Sequence, residues 1–540
     1  MQDPVLIAGA GPTGLTAALE LSRMGVRVRL VDRAAGPATT SRAIGVHART
    51  LELLAQRGLA QELIATGMKI RGGDIHGDGK SLMRLDFSTL PSRFPYILFT
   101  PQSNTEAMLR KALACQGVEV EWGTELIAFG QHERAGRTTE IEAVLRTEDG
   151  IAAQGFSWLI ATEGAHSLSR ATLGVPFEGE TMPEQFALAD LQIDGEIAPE
   201  DLHMYSSEHG LMGLFPLGAQ RFRLIVSHPP GGEDRSAPPR LDQLQAAFDA
   251  RADRPAQLHD LTWSSWFQIN SRMVTQLRVG RVILGGDSAH IHSPAGAQGM
   301  NTGIQDMINL CWKLARVIKG QSGESLLDSY EDDRRPVMEA VLNRTERLTE
   351  VIGAENPLLR SAIAHIAPIV GRTRFLQSKA TMRMSQLAVE YRDSPISVDH
   401  AHAGSLYAGD RMPDLDLRQL RNGRWVEAQL YPLLDPTDFT VLIAHPINAA
   451  PHFEQLSSDV PFERIVHIAP PEHDRAPGYQ ASFDALFGRH ARCVLIRPDG
   501  YIAMTCPVKS APHALKDYAH KQLGAISPPE ATGRQRGPHR

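Results

Sequence analysis

Two stretches of this chain have the residue types and spacing to hold a dinucleotide and to do electron chemistry with it. The first is GAGPTG, Gly9 to Gly14, and the second is GGDSAHIHSPAGAQGMNTGIQD, Gly285 to Asp306. In the first, Gly9 serves a tight turn, Gly11 lets backbone approach a pyrophosphate, and Gly14 permits close helix–strand packing. A helix starting there offers free N–H groups and a positive dipole end to phosphate. Asp32 stands 18 residues beyond Gly14, near the offset of about 20 at which an acid accepts hydrogen bonds from ribose hydroxyls. Such an acid disfavours a 2′-phosphate, but the unit alone does not separate NAD from FAD.

The second stretch suits the other end of a flavin dinucleotide. Arg281 to Leu284 reads as a strand, with Gly285, Gly286 and Asp287 at its carboxyl end, where open α/β sheets bind ligands. A carboxylate there can accept hydrogen bonds from ribityl hydroxyls. Pro294 to Gly299 reads as a loop, and Met300 to Lys313 as a helix whose N-terminus favours negative charge on the N1–C2=O edge of a reduced flavin. The two stretches are therefore expected to hold a single FAD. The competing reading, a glycine-rich turn that binds nothing, is disfavoured because strand, helix and acid are all in place.

GAGPTG, the PQSNTEAML segment and GDSAH…PAGAQGMNTGIQD resemble the FAD-dependent aromatic hydroxylases, single-component flavoprotein monooxygenases of the para-hydroxybenzoate hydroxylase type. The resemblance runs from the N-terminus to about Ser329–Val337. It implies that Asp287 binds ribityl oxygen, that Gly299, Met300 and Asn301 meet the isoalloxazine through their backbone, and that Gln102 and Arg42 also contact FAD. Arg33, beside Asp32, joins the same cofactor-binding set. It further implies NAD(P)H as a transient co-substrate, and transfer of oxygen from O2 to an aromatic small molecule through a C4a-hydroperoxyflavin. One position departs from the family pattern. Glu163 precedes Gly164 where Asp is usual, so the reduction by the nicotinamide is where a deviation is expected.

Baeyer–Villiger oxygenation of a polycyclic ketone and a non-catalytic FAD-binding role stay as alternatives. This chemistry needs no protein nucleophile, and the sequence assigns no substrate-activating base. Tyr96, Phe215 and Pro294 are pocket candidates, and Phe94, Tyr205 and Trp266 are further aromatic ones that could equally be core. His290 and His292 are read as loop supports and not as metal ligands, and no metal site is expected. Arg170 and Arg272 are either salt-bridge partners or substrate clamps. The WSSW segment, Trp263 to Trp266, lacks the WxWxIP arrangement of flavin-dependent halogenases.

These residues need a scaffold. Pro4 to Ala8 reads as a buried strand, Leu15 to Met24 as a helix ended by Gly25, and Val26 to Val31 as a second strand, which makes a βαβ unit. FALADLQID, GLMGLFPL, RFRLIVSH and LTWSSWFQI read as strands of a mostly antiparallel sheet, with a helix over Leu241 to Ala252. Glu324 to Ile352 and Asn356 to Val389 read as helical. Their apolar residues would pack on the flavin domain or on a second subunit, so a homodimer stays open. Arg392 to Gly409 resembles a linker. FTVLIAHP, RIVHIAP and ARCVLIRPDGYIAM read as strands, the last pair turning at Pro498–Gly500, and this order resembles the thioredoxin-like domain of larger hydroxylases. The expected fold class is α/β. A Rossmann-like FAD-binding domain (1–178 and 271–395) carries an inserted antiparallel substrate-binding β-sheet domain (179–270, with 73–97 contributing). A helical segment, a thioredoxin-like α/β domain (396–526) and a disordered tail (527–540) follow.

Bulk properties agree with a multidomain enzyme. The chain has 540 residues, 42% hydrophobic and 22% charged, which excludes a fibrous or disordered chain. A formal net charge of −7 argues against a nucleic-acid partner. Cys115, Cys311, Cys493 and Cys506 match neither a disulfide framework nor a zinc site, and a reducing cytoplasm is expected. No apolar run reaches the length of a membrane span.

Overall fold

The computed structural model describes residues 3–39, 43–77, 80–132, 140–227, 237–293, 296–352, 373–400, 404–446, 460–472 and 483–524. Its central strands are short, apolar and wholly buried. Val5–Ala8, Trp158–Ala161 and Val282–Leu284 have no exposed position, as a parallel sheet covered on both faces requires. They run parallel in the order Val282–Leu284, Trp158–Ala161, Val5–Ala8, Val28–Asp32, Val120–Trp122, with Arg278–Val279 as an antiparallel edge. Alternation along each strand divides two cores. Val5, Ile7, Leu30, Ile160 and Ile283 share a core with Leu15, Leu109 and Leu310 of helices Pro12–Arg23, Gln102–Ala114 and Gly299–Ile318. Leu6, Ala8, Val31, Leu159 and Val282 meet Leu126, Ile141, Leu145 and Phe156 of a three-stranded antiparallel sheet, residues 125–156.

The second sheet has eight strands. Phe177–Gly195 and Ala256–Val274, 19 residues each, pair antiparallel, with His290–Ile291 as the edge beside Ala256–Val274. Arg221–Ser227, Gly210–Gly218 and Leu202–Ser207 extend it on one side. Gly72–Gly77 then joins in parallel to Leu202–Ser207, and Lys80–Asp86 forms the edge. One face of this sheet closes on the nucleotide-binding half through Leu202 and Phe215. The other face packs Tyr205, Met212, Leu214 and Phe222 under Leu244 and Phe248 of helix Leu241–Asp249. The period of two thus places Leu202 and Tyr205 on opposite faces.

A seven-stranded mixed sheet forms the C-terminal third. Its centre runs Arg464–Ala469, Thr440–Ala444, Arg492–Ile496, Ile502–Pro507, with the first two parallel and the others antiparallel. Helix Ala511–Lys521 packs on it through Ala514, Leu515 and Tyr518.

Several expectations change. The helix read as Met300–Lys313 spans Gly299–Ile318. The first helix starts at Pro12, because proline suits the first helical turn, where its missing N–H costs nothing. The stretch Arg392–Gly409 is no loose linker. Val398–Asp399 pairs in parallel with Met504–Thr505, and Ile396 and Leu406 are buried. Hairpin Asp416–Arg421 with Arg424–Gln429 went unread although Asn422-Gly423 marks its turn, with φ of +48° and +75°. Residues 87–97 leave the large sheet, since Ile97–Phe99 pairs with Gly45–Val46 and Met68–Ile70 in a small separate sheet. The helical reading over 356–372 and the tail 527–540 lie outside the described residues. Among the described residues no helix is long and apolar enough to cross a membrane.

Candidate functional site

The two motifs, Gly9–Gly14 and Gly285–Asp306, are far apart in sequence and meet at Thr13. A Cβ on Gly286 would lie 2.5 Å from Thr13 Oγ1, and one on Gly303 would lie 2.4 Å from the same atom. Only hydrogen at these positions lets helices Pro12–Arg23 and Gly299–Ile318 approach this closely. The Gly9 turn is locked as well. Its φ is +101°, a Cβ there would fall 2.3 Å from the Thr162 carbonyl oxygen, and Thr162 Oγ1 donates to the carbonyls of Ala8 and Gly9. A Cβ on Gly14 would fall 1.9 Å from Gly9 O, whereas one on Gly11 would meet no atom within 4 Å. Gly9 and Gly14 therefore serve packing, and Gly11 faces open space.

The donor set around that space suits a flavin dinucleotide. Neither Gly11, which caps helix Pro12–Arg23, nor Gln298, which caps helix Gly299–Ile318, makes a side-chain capping bond. Both first turns keep N–H groups for a ligand. Asp32 ends its strand accepting from Ala10 N at 2.7 Å and Ala34 N at 2.8 Å. A carboxylate has about four acceptor sites, so two stay for ribose hydroxyls. Arg33 beside it is exposed. Asp287 lies exposed on the turn Gly286–Ser288, directly after strand Val282–Leu284. Gln102 opens helix Gln102–Ala114, donates to Glu106 at 2.8 Å and ties its backbone N–H to Ala43 O. Arg42 and Pro294 lie outside the described residues.

Asn301 has two functions at once. Its side chain is fully buried, accepts from His47 N at 2.9 Å and donates to Gly45 O at 2.8 Å and Ala297 O at 2.9 Å. Only its backbone is left for a ligand, as is true of Gly299, which has no side chain. Ala297, before them, holds φ +53°, a left-handed conformation that costs a residue with a Cβ roughly 1–2 kcal/mol. His47 was missed by the sequence reading. Its Nε2–H donates to Gly296 O at 2.7 Å, and burial pushes the imidazole down to about 4, against the pull of that carbonyl. A neutral histidine thus clamps the loop. The signal was faint, a histidine immediately before helix Ala48–Gln56.

His290 and His292 both make hydrogen bonds within the protein. His290 Nε2 lies 2.7 Å from Asp306, whose other oxygen takes Arg334 at 2.8 Å, all three buried. Burial works to raise the Asp306 pKa, but Arg334 and His290 outweigh it and hold the carboxyl below its usual range. His292 donates Nδ1–H to Ser293 O, and burial brings it to about 4. Glu163 folds back on its own loop. It accepts from Ser167 Oγ at 2.6 Å and from Ser169 N at 3.3 Å, so its added methylene turns the charge toward helix Leu168–Leu173. Arg170 donates to Ser288 O and Ala165 O and lies 3.9 Å from the centre of the Phe177 ring. Arg272 reaches Thr181 Oγ1. Among the described residues neither arginine has a carboxylate ion pair.

Tyr96, Phe94 and Phe215 lie with Phe99 in the core between the two halves of the molecule. Phe99 and Phe215 have ring centroids 5.9 Å apart, and Phe94 meets Tyr96 edge-on at 6.3 Å. Phe99 lies 3.6 Å from where a Gly45 Cβ would be, beside Ala297, so this aromatic group borders the flavin-side loop. Burial raises the Tyr96 phenol above its ordinary pKa. Tyr205 and Trp266 belong to the opposite face of the large sheet, with helix Leu241–Asp249, and drop out as pocket walls.

Residues 2–345 match the family described as FAD binding domain. The chain is 36% identical over 525 residues to a 6-methylpretetramide 4-monooxygenase of Streptomyces rimosus, covering 92% of this chain and 90% of that protein. It is 32% identical over 525 residues to a pentachlorophenol 4-monooxygenase of Sphingobium chlorophenolicum, covering 92% and 93%. Among solved structures, an anhydrotetracycline hydroxylase from Streptomyces rimosus superposes with a TM-score of 0.76 at 29% identity, covering 98% of this chain and 100% of that one.

Proposed function

Because this chain belongs to the FAD binding domain family of aromatic monooxygenases, we propose that it hydroxylates a phenolic or polycyclic aromatic substrate using NAD(P)H and O2. The observation that carries this reading is the contact of the two motifs at Thr13, with open space beside Gly11 and two helix N-termini that have no side-chain cap. When bound, FAD takes hydride from NAD(P)H and activates O2, so that one oxygen atom enters the ring and the other leaves as water.

The protein's share is binding, orientation and exclusion of water. Gly9 and Gly14 fix the turn, while Gly11 and the first turn of helix Pro12–Arg23 receive the pyrophosphate. Asp32 and Arg33 hold the adenosine end, with Arg42 and Gln102 as further contacts, and Asp287 accepts from the ribityl hydroxyls. The backbone of Gly299, Met300 and Asn301 borders the isoalloxazine, and the dipole of that helix favours an anionic reduced ring. Tyr96, Phe94, Phe99 and Phe215 supply apolar wall on the substrate side, and Pro294 stays a pocket candidate from the sequence. His47 and His292 are neutral at pH 7, so each acts there as a hydrogen-bonding group and carries no charge.

The substrate class rests on the names of the relatives, whose substrates are a pretetramide, an anhydrotetracycline and a chlorinated phenol. A thioredoxin-like unit at 396–526 is supported by the strand order 464–469, 440–444, 492–496, 502–507 and the helix after it. We divide the rest as FAD domain, 1–178 and 271–395, and substrate domain, 179–270 with strands from 72–86. Action in the cytoplasm without nucleic acid fits the acidic chain, and a homodimer fits exposed Phe375 and Leu376 on helix Arg374–Met384. Light scattering of the FAD-loaded protein tests the dimer. For the reaction, candidate polycyclic phenols are added with NADH or NADPH under ¹⁸O₂. Substrate-stimulated oxidation with one labelled oxygen in a hydroxylated ring is expected. A ring-expanded ester or lactone would instead assign Baeyer–Villiger chemistry, and unlabelled substrate with peroxide alone would refute oxygenation.

A further inference from the structure

A histidine cluster lies in the large sheet, on the face turned away from the flavin side. Leu202 and Met204 point into the core shared with the nucleotide-binding half, so His203 and Tyr205 between and after them point to the other face. His203 is paired across the sheet with Asp74, and Tyr205 with His76. The potential ligand atoms of Asp74, His76 and His203 all lie within 4.8 Å of one another.

Each of the three is set up in the manner of a metal ligand. His203 is 6% exposed, and its Nε2–H donates to Ala198 O at 2.9 Å. That bond fixes the tautomer and leaves Nδ1 as an acceptor, buried and without a partner among the described residues. His76 Nδ1 lies 3.0 Å from an Asp253 oxygen, but both His76 ring nitrogens are buried without a hydrogen-bond partner among the described residues. Tyr205 stacks on the His76 ring at 4.6 Å and holds its plane. Asp74 gives Oδ2 to Arg84 at 2.8 Å, and this pairing does not involve Oδ1. A metal-ligating histidine commonly donates its other ring N–H to a carbonyl or carboxylate outside the ligand set, as His203 does to Ala198 O.

We propose that Asp74, His76 and His203 bind a divalent ion of the zinc type, with Asp253 and Ala198 as outer-shell acceptors. Two imidazoles and a carboxylate match the preference of zinc for nitrogen and oxygen donors with water in the fourth place. Zinc–ligand distances of about 2.0–2.1 Å require the donors to close by roughly 1 Å, which rotation of the half-buried His76 and Asp74 supplies. The ion would pin strands Gly72–Gly77 and Leu202–Ser207 to the turn after helix Leu241–Asp249. It lies on the far face from the flavin, so its role is structural.

The test uses untagged, FAD-loaded full-length protein stripped with a chelator and titrated with zinc chloride by calorimetry. One ion per chain is expected. His203→Gln and Asp74→Asn should each weaken it about tenfold or more, with NAD(P)H oxidation by the stripped protein unchanged. Cobalt(II) should give the visible bands of a four-coordinate nitrogen–oxygen site in the wild type and lose them in Asp74→Asn. Should His203→Gln fail to fold by circular dichroism, Asp74→Asn and the cobalt spectrum carry the comparison. Equal zinc affinity in wild type and Asp74→Asn, or no saturable binding, overturns the proposal.

Discussion

At the residue scale, the glycines of the first motif separate packing from binding. Gly14→Ala places a methyl 1.9 Å from Gly9 O and is expected to prevent folding of the βαβ unit, seen as loss of soluble protein. Gly11→Ala meets nothing within 4 Å, at φ −71° and ψ −177°, so the protein without cofactor should melt as the wild type does. Its affinity for FAD should nevertheless fall by about tenfold or more, the cost of roughly 1.4 kcal/mol, when read by flavin fluorescence. A pH effect belongs to the same scale. His47 and His292 sit near 4 in the folded chain, below the ordinary 6.5, so the unfolded chain binds more protons between those values. The stability they contribute is complete above about pH 6.5 and is lost as pH falls toward 4, at up to about 1.4 kcal/mol per pH unit for each. Denaturant midpoints across this window should drop, and less steeply in His47→Gln. The sequence showed the glycines because GxGxxG has one common reason to exist. It did not show His47, whose neutral state comes from burial and not from neighbours in the chain.

At the scale of elements, Asn301 joins three of them: its own helix, the loop at Ala297 and strand Gly45–Val46. Asn301→Ala strands one buried N–H and two carbonyls, a loss of roughly 2–4 kcal/mol. Denaturation should report that loss, together with faster release of FAD, because the loop at Ala297, proposed to meet the flavin, is no longer held. The elements themselves were mostly legible. Val5–Ala8, helix Pro12–Arg23 and Val282–Leu284 announce themselves by apolar runs bounded by glycine. Strands Gly72–Gly77 and Lys80–Asp86 were placed only loosely, since GGDIHG and KSLMRLD alternate weakly, and the hairpin they form gains its place in the sheet through Leu202–Ser207, more than 100 residues away. Aromatic side chains could not be assigned to faces until the register was known, and so Tyr205 and Trp266 were grouped with Phe215.

At the scale of the whole molecule, the C-terminal sheet is fastened by buried charge. Turn Arg497–Tyr501 enters the nucleotide-binding half, where Asp499 accepts from Asn309 at 3.1 Å and from Trp312 at 3.2 Å. Asp333 takes Arg497 at 2.7 Å and Lys313 at 2.8 Å. Burial would raise Asp333, but these two cations hold it well below the usual carboxylate range, while burial brings Lys313 down to about 8. Removing one member leaves a buried charge without its counterpart, a cost of about 3–5 kcal/mol. Arg497→Met should therefore destabilise by that amount and open residues 396–524 to limited proteolysis before the rest. None of this was legible, because Asp333 and Arg497 are separated by 164 residues and look like ordinary surface charges. Asn309 and Trp312 sit midway along helix Gly299–Ile318, about 30 Å long, whose first turn is proposed to meet the flavin. The consequence concerns recombination. Although strand order makes the last third look like an exchangeable cassette, a chimera joined near residue 396 would insert a foreign turn into a charged socket shaped for Arg497 and Asp499. Such grafts should work only when Lys313 and Asp333 travel with the donor, which moves the usable breakpoint upstream into the flavin helix itself.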